Sequence, residues 1–286
     1  MVRGTEDTIF NAINYTILAL VGLTVLFPLF FVLSVSVTPM AEVLKNGGYI
    51  VFPSRISFTA YRELLGDPAI PRAFMVTLFI TVVGTAINMA LTLLMAYPLS
   101  RKSLPGRSFF LLLILFSMLF SGGLIPLYLT VKATGLLNSV WAMIIPGAIG
   151  AFNVLVMKSF FENIPEELIE SVRIDGAKEW RILLHIVIPL SLPVMITIGL
   201  FYTVGHWNSF FSAIMFITDP KLHPIQVIVR NVLTMAQNPV ENIDVPVPTE
   251  AVQMAAVVVA CFPVIAVYPF VQKHFTKGML IGSIKG

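Results

Sequence analysis

Long apolar stretches free of Asp, Glu, Lys and Arg dominate the chain. Six of them occupy 8–40, 73–100, 108–131, 133–157, 182–218 and 251–272. A helix needs roughly 20 apolar residues to cross the hydrocarbon of a bilayer. Each run can hold one such helix, which satisfies its own backbone polar groups where water is absent. The run 182–218 is longer than one span requires, and its first part, through Pro189 and Pro193, is expected outside the membrane core. Two longer connections, 41–72 and 219–250, separate the runs. In them Phe52-Pro53-Ser54 and the stretch 244–248 read as turns or extended pieces. The pattern predicts an all-α membrane protein with six transmembrane helices and no tandem repeat.

Composition strengthens that picture. Of 286 residues, 57% are hydrophobic and only 12% charged, whereas soluble domains run near half apolar and about a quarter charged. So little charge cannot cover a water-facing surface, and the solvent it implies is lipid. The net charge of +3 is too small to suggest nucleic acid as a partner. The single Cys261 excludes an intrachain disulfide framework and a cysteine metal cluster. The first apolar run is too long for a signal-peptide core, and no A-x-A-like cleavage site stands at its end. With the N-terminus inside, 11 Lys and Arg fall on the cytoplasmic side against 7 outside. That bias places both termini in the cytoplasm.

The most charged segment, 163–193, lies between two of the spans on the predicted inner side. It reads as helix, turn, helix. Asn163 is a plausible N-cap and Pro165 suits the first helical turn. Glu166 and Glu167 then set negative charge at the positive end of the helix dipole. Leu168, Ile169 and Val172 form an apolar stripe, and Asp175-Gly176 breaks the run. Asp175 can cap a second helix that turns Trp180, Leu183 and Leu184 inward and ends at Pro189 and Pro193.

This segment resembles the EAA loop of the membrane subunits of ABC importers, whose pattern is Glu-Ala-Ala, three residues, Gly, nine residues, Ile-x-Leu-Pro. The chain offers Glu170-Ser171-Val172, then Gly176, then Ile186-Val187-Ile188-Pro189, in register without gaps. Ser171 and Val172 stand for the two alanines and Ile188 for leucine. The resemblance implies a type-I ABC importer permease fold whose cytoplasmic loop is a coupling helix seated on a separate ATPase subunit. The residues so implied are Glu170, Ser171, Val172, Asp175, Gly176, Ala177, Ile186 and Pro189. It also implies an organisation of 1–72 as N-terminal segment, first span and outer connection, 73–272 as the transmembrane core, and 273–286 as a cytoplasmic tail.

Further stretches are similar to the carbohydrate-uptake branch: Trp207-Asn208-Ser209-Phe210, Phe216-Ile217-Thr218-Asp219-Pro220, and the tail from Gln272 to Gly286. Within it the chain resembles the maltose-type second permease, and more closely permeases for larger or acidic oligosaccharides. A permease of this kind moves oligosaccharides across a bacterial cytoplasmic (inner) membrane by alternating access. The implied partners are a second permease subunit, two ATPase subunits, an extracytoplasmic solute-binding protein and membrane lipid. ATP and Mg would be bound by the ATPase subunits, with no cofactor on this chain and no enzymatic role for it.

No G-x-x-x-x-G-K-[ST] and no H-E-x-x-H occurs, and His185, His206, His223 and His274 are scattered. An ion-coupled carrier would place charges within its spans, and the apolar runs contain none. A polytopic membrane enzyme would need converging nucleophiles or carboxylates, and none is recognisable. Polar and aromatic residues within the runs that could touch substrate are Asn88, Asn153, Tyr202, His206, Trp207 and Asn208, with Gln253 a further polar position. Their bland alternative is hydrogen bonding between helices, the common use of such residues in lipid. In maltose-type systems one permease can dominate substrate contacts, so few are expected here.

Overall fold

A computed structural model of the chain describes residues 5–237 and 249–283. Every regular element among them is helical. In order they are α1 (Thr5–Ser36), α2 (Met40–Lys45), α3 (Thr59–Gly66), α4 (Ala69–Ser100), α5 (Arg107–Leu119) and α6 (Leu124–Ala133). Short 3₁₀ turns at Val140–Met143 and Ile145–Gly147 lead into α7 (Ala151–Glu162) and α8 (Glu166–Ile174). Then come α9 (Glu179–Ile182), a π turn at Leu183–Val187, α10 (Ile188–Leu190), α11 (Leu192–Trp207) and α12 (Phe211–Phe216). A 3₁₀ turn at Pro220–Leu222, α13 (Ile225–Gln237) and α14 (Glu250–Ser283) complete the chain.

Three helices are long and apolar enough to cross a bilayer unbroken: Ile9–Ser36, Ala69–Ser100 and Glu250–Val267. The other three runs fold as bent pairs, giving up to six spans. The pairs are α5 with α6 (114°), Val140–Gly147 with α7 (49°), and Glu179–Leu190 with α11 (83°). One helix per run is therefore corrected for half of them. The first break falls at 120–123, which includes Gly122-Gly123, and the second at 148–150, just after Pro146-Gly147. The third falls at Ser191, between Pro189 and Pro193. Proline lacks the N–H that continues the ladder and clashes with the preceding turn.

The connection 219–250 holds a helix that the sequence reading did not mark. That reading assigned turns or extended pieces only to 244–248 and no helix to the rest, whereas Ile225–Gln237 is a helix that buries Ile225, Val227 and Val229. Its apolar positions recur too briefly to stand out beside the long runs. The stretch 244–248 lies outside the described residues.

The chain divides into two compact units. In the unit formed by 1–70 and 228–262, Val35, Val43 and Ile50 pack with Phe31 and Met254. Ser36 and Tyr61 share a hydrogen bond of 2.7 Å. The unit formed by 71–227 and 263–286 holds two cores. One gathers Tyr97, Phe161, Ile169, Ile182, Val187 and Ile198, and the other Ile80, Val131, Ile144, Phe216 and Val227. Large exposed apolar side chains line α1, α5 and α6, far beyond what a water-soluble surface carries.

Candidate functional sites: the charged loop and an open cavity

The 163–193 segment is a helix–turn–helix whose caps differ from the sequence reading. Asn163 ends α7 instead of starting α8, because its Nδ2 donates to the Ser159 carbonyl at 2.8 Å within its own helix. Pro165 holds the N-cap place with an extended ψ of 129°, one residue before the first turn. Glu166 and Glu167 occupy that first turn as expected. Asp175 is the C-cap of α8, and Lys178 stands at the N-cap of α9. Gly176 N–H donates to Arg173 O at 3.0 Å and Ala177 N–H to Val172 O at 3.1 Å. These two bonds make a Schellman closure, which needs a left-handed residue at its centre, and Gly176 supplies φ +80°. Nothing lies within 4 Å of where a Gly176 Cβ would be, so the glycine serves the turn and not a close contact within this chain.

Around that turn, Ile169 is buried, and Val172 and Ala177 pack at the core edge. Glu170 is exposed, and Ser171 Oγ donates to Leu168 O at 3.1 Å. Ile174 is 86% exposed and meets no core. In the second arm Ile182, Leu183 and Val187 are buried, whereas Trp180 and Leu184 are exposed. The inward placement of those two is thus corrected: one i,i+4 strip cannot face the core when the neighbouring strip already does. Ile186 is half-buried and Pro189 exposed. The π turn at Leu183–Val187 absorbs the backbone mismatch ahead of Pro189. Ser191 N–H bonds to both Val187 O (3.0 Å) and Ile188 O (3.1 Å) at the bend into α11.

Polar contacts fasten this segment to the end of α4. Tyr97 Oη donates to Glu179 Oε2 at 2.6 Å, and Arg173 Nη2 donates to Glu179 Oε1 at 2.7 Å. Hydrogen bonding to Glu179 raises the Arg173 pKa above its ordinary value. The Arg101 guanidinium lies 4.6 Å from the Tyr97 ring centroid. Below, Glu162 pairs with Arg107 and, at 2.7 Å, with Lys158, while Arg107 Nε donates to Leu99 O at 2.9 Å. The sequence reading missed Tyr97, Arg101 and Glu162. The available signal was their position at span ends, where amphipathic and charged side chains gather.

A second feature is a cavity of about 470 Å³ within the 71–227 part of its unit. Four of the singled-out residues line it: Asn88, Tyr202, His206 and Asn208. Trp207 instead packs edge-on against Phe74, with centroids 5.7 Å apart. Asn153 sits beside Gly150 and is not among the lining residues. Gln253 lies on α14 in the other unit. The Tyr202 hydroxyl meets Thr92 Oγ1 at 2.7 Å and accepts from Gly150 N–H at 3.2 Å, so it ties helices together while its ring faces the cavity. Asn88 Nδ2 donates to Gly147 O at 3.4 Å. Ser209 and Ser212, 2.8 Å apart, and a set of phenylalanines complete the wall. Periodicity could not single these out from ordinary packing residues. Among the described residues no group of three His, Cys, Asp or Glu could hold a metal ion.

Comparison with known proteins follows this geometry. A family model described as binding-protein-dependent transport system inner membrane component matches residues 88–281. The protein LplC of Bacillus subtilis (strain 168) is 43% identical over 283 residues, covering 97% of this chain and 95% of that protein. The polygalacturonan/rhamnogalacturonan transport system permease YtcP of the same organism is 42% identical over 286 residues, covering 98% and 100%. A chain in the crystal structure of a bacterial ABC transporter involved in import of the acidic polysaccharide alginate superposes with a TM-score of 0.87 at 31% identity. That match covers 96% of this chain and 99% of the other.

Proposed function

We propose, from the premise that this chain belongs to the family of binding-protein-dependent transport system inner membrane components, that it is a permease subunit of an ATP-binding-cassette importer for oligosaccharides. It crosses the inner membrane six times, with three of the crossings bent, and pairs with a second permease. Acidic polysaccharide fragments are the favoured cargo. The names of the pectin-polymer and alginate transporters it is similar to support that choice.

The observation that carries the mechanism is the knob made by α8, the hydrogen-bonded turn at Gly176 and α9, whose outer face is uncovered. Its inner face packs on Phe161 and Tyr97 through Ile169 and Ile182. Its outer face leaves Leu168, Ile174 and Trp180 uncovered. A subunit without a nucleotide site must take up force through such a surface, and an ATPase subunit is the partner it fits. Closure of two ATPase subunits would push the knob, and through the bend at Ser191 would tilt α11 beside the cavity. The helices then alternate between outward and inward access, a rigid-body transition of the kind packed elements permit. Glu170, Ser171, Val172, Asp175, Gly176, Ala177, Ile186 and Pro189 form or support this coupling surface. ATP and Mg belong to the ATPase subunits, and an extracytoplasmic binding protein delivers the sugar.

Co-expression of the chain with a second permease, ATPase subunits and a binding protein tests this. The purified complex in liposomes should take up oligogalacturonate only with ATP inside and binding protein outside. Uptake driven by an ion gradient without ATP would refute the reading.

A further inference from the structure

The arm Glu179–Leu190 meets α11 at an angle of 83° across Ser191. Pro189 and Pro193 interrupt the backbone ladder on either side of that corner. Two rods joined at one broken turn can flex there, so a push on the knob could close the corner and leave α11 in place. Two further connections bear on this, and both run through α4. In the last turn of α4, Tyr97 Oη donates to Glu179 Oε2 at 2.6 Å. Farther along the helix, Thr92 Oγ1 meets Tyr202 Oη at 2.7 Å and Thr85 Oγ1 meets Thr203 Oγ1 at 3.3 Å, joining α4 to α11. The arm, α11 and α4 thus close a triangle, pinned at Ser191, at Thr92–Tyr202 and at Tyr97–Glu179. A triangle of stiff sides keeps its angles, and the loss of one pin turns it into a hinge.

We infer that Glu179 is a positioning residue for coupling: by holding Tyr97 it fixes the angle between the knob and α11, so that a displacement of the knob moves α4 and α11 together. The inference rests on reading the chain as a permease driven by an ATPase subunit. It gives the force a second route, through α4, beside the one through the bend at Ser191.

The chemistry of the corner suits that role. Glu179 opens α9, and its other oxygen accepts from Arg173 Nη2 at 2.7 Å, so one carboxylate also ties α8 across the Gly176 turn. Tyr97 is buried. Its ring lies 4.6 Å from the Arg101 guanidinium and meets Phe161 edge-on, with centroids 6.5 Å apart. The phenol is thereby held with its hydroxyl toward the knob. Ile182 and Leu183 fill the corner with apolar contacts, but such contacts are non-directional. A hydrogen bond to a charged acceptor sets both distance and angle.

The test reads sugar moved per ATP hydrolysed by the complete transporter in liposomes, with trigalacturonate as the probe. Tyr97→Phe and Glu179→Leu should each lower that ratio on the order of threefold, the scale of a half-exposed charged hydrogen bond. The ATPase subunits should stay bound, and half-saturation by loaded binding protein should not change. The double variant should be no worse than Glu179→Leu, because both changes remove the same pin. Glu179→Gln keeps an acceptor for Tyr97 and should restore most of the ratio. A wild-type ratio in both single variants overturns the inference, as does a double variant whose losses multiply. Loss of the ATPase subunits from Glu179→Leu but not from Tyr97→Phe also overturns it, since Glu179 would then act on the partner's surface. If Glu179→Leu fails to assemble, Tyr97→Phe decides alone, lacking only one oxygen. If the wild-type complex moves no sugar with ATP, the permease reading itself fails, a distinct result.

Discussion

At Gly176 the backbone sits at φ +80° with open space around the missing Cβ. The cost of a side chain there is conformational, roughly 1–2 kcal/mol for an ordinary residue in the left-handed region. Asn tolerates that region far better than a β-branched residue. Gly176→Asn should therefore keep most transport, while Gly176→Val and Gly176→Arg should lower sugar uptake several-fold in a complex that still assembles. Equal uptake by the Asn and Val forms would show that the turn is not the constraint. Tyr97→Phe removes the hydroxyl that donates to Glu179. A hydrogen bond to a charged group is worth about 1.5–3 kcal/mol. The Glu179 side chain is 55% exposed, which screens the interaction to about 1 kcal/mol or less. We expect a small loss of thermal stability and faster amide exchange across 173–182. Unchanged exchange would mean the loop is held by apolar packing alone.

Among the elements, legibility follows the physics of each. All six apolar runs contain helix, because length and absence of charge leave few other options in lipid. Of their breaks the sequence reading marked only the one at Pro189 and Pro193, since whether a glycine or proline kinks a helix, breaks it or is absorbed depends on neighbours. The charged loop was placed correctly as two helices around Gly176, but its caps were not. Asn163 and Asp175 each found a partner or place at the end of the preceding helix, a choice between adjacent helices that spacing does not decide. Exposure of Trp180 and Leu184 was equally hidden, since helical periodicity offered two strips and only tertiary packing selects one. In the cavity, four of the six singled-out residues came together, while Trp207 and Asn153 serve packing nearby. The π turn before Pro189 yields its own prediction. Pro189→Ala restores an N–H that can bond the His185 carbonyl and let the turn relax to a regular helix. Exchange at 185–191 should slow and uptake should fall several-fold with assembly retained. Unaltered uptake would make the π turn a passive accommodation of proline.

For the molecule as a whole, the account requires a fixed topology. Single cysteines at positions 57 and 176, in a Cys261→Ser background because Cys261 is exposed, should label from opposite sides in intact cells and inverted vesicles. Position 57 should react from outside and position 176 from the cytoplasm. Labelling of 176 from outside would invert the arrangement and remove the loop from its ATPase partner. Force would enter at α8 and α9 and leave through α11, so the most informative perturbation touches only the outer surface of the knob. Ile174 is that position: it is 86% exposed, so a charge there leaves this chain's own packing intact. The decisive measurement is sugar taken up per ATP hydrolysed, in liposomes carrying the complete transporter with wild-type chain or Ile174→Glu. The account predicts ATP-dependent uptake by the wild type. For Ile174→Glu it predicts either loss of the ATPase subunits or at least a tenfold fall in sugar moved per ATP. A variant that retains its ATPase subunits and the wild-type ratio would contradict it.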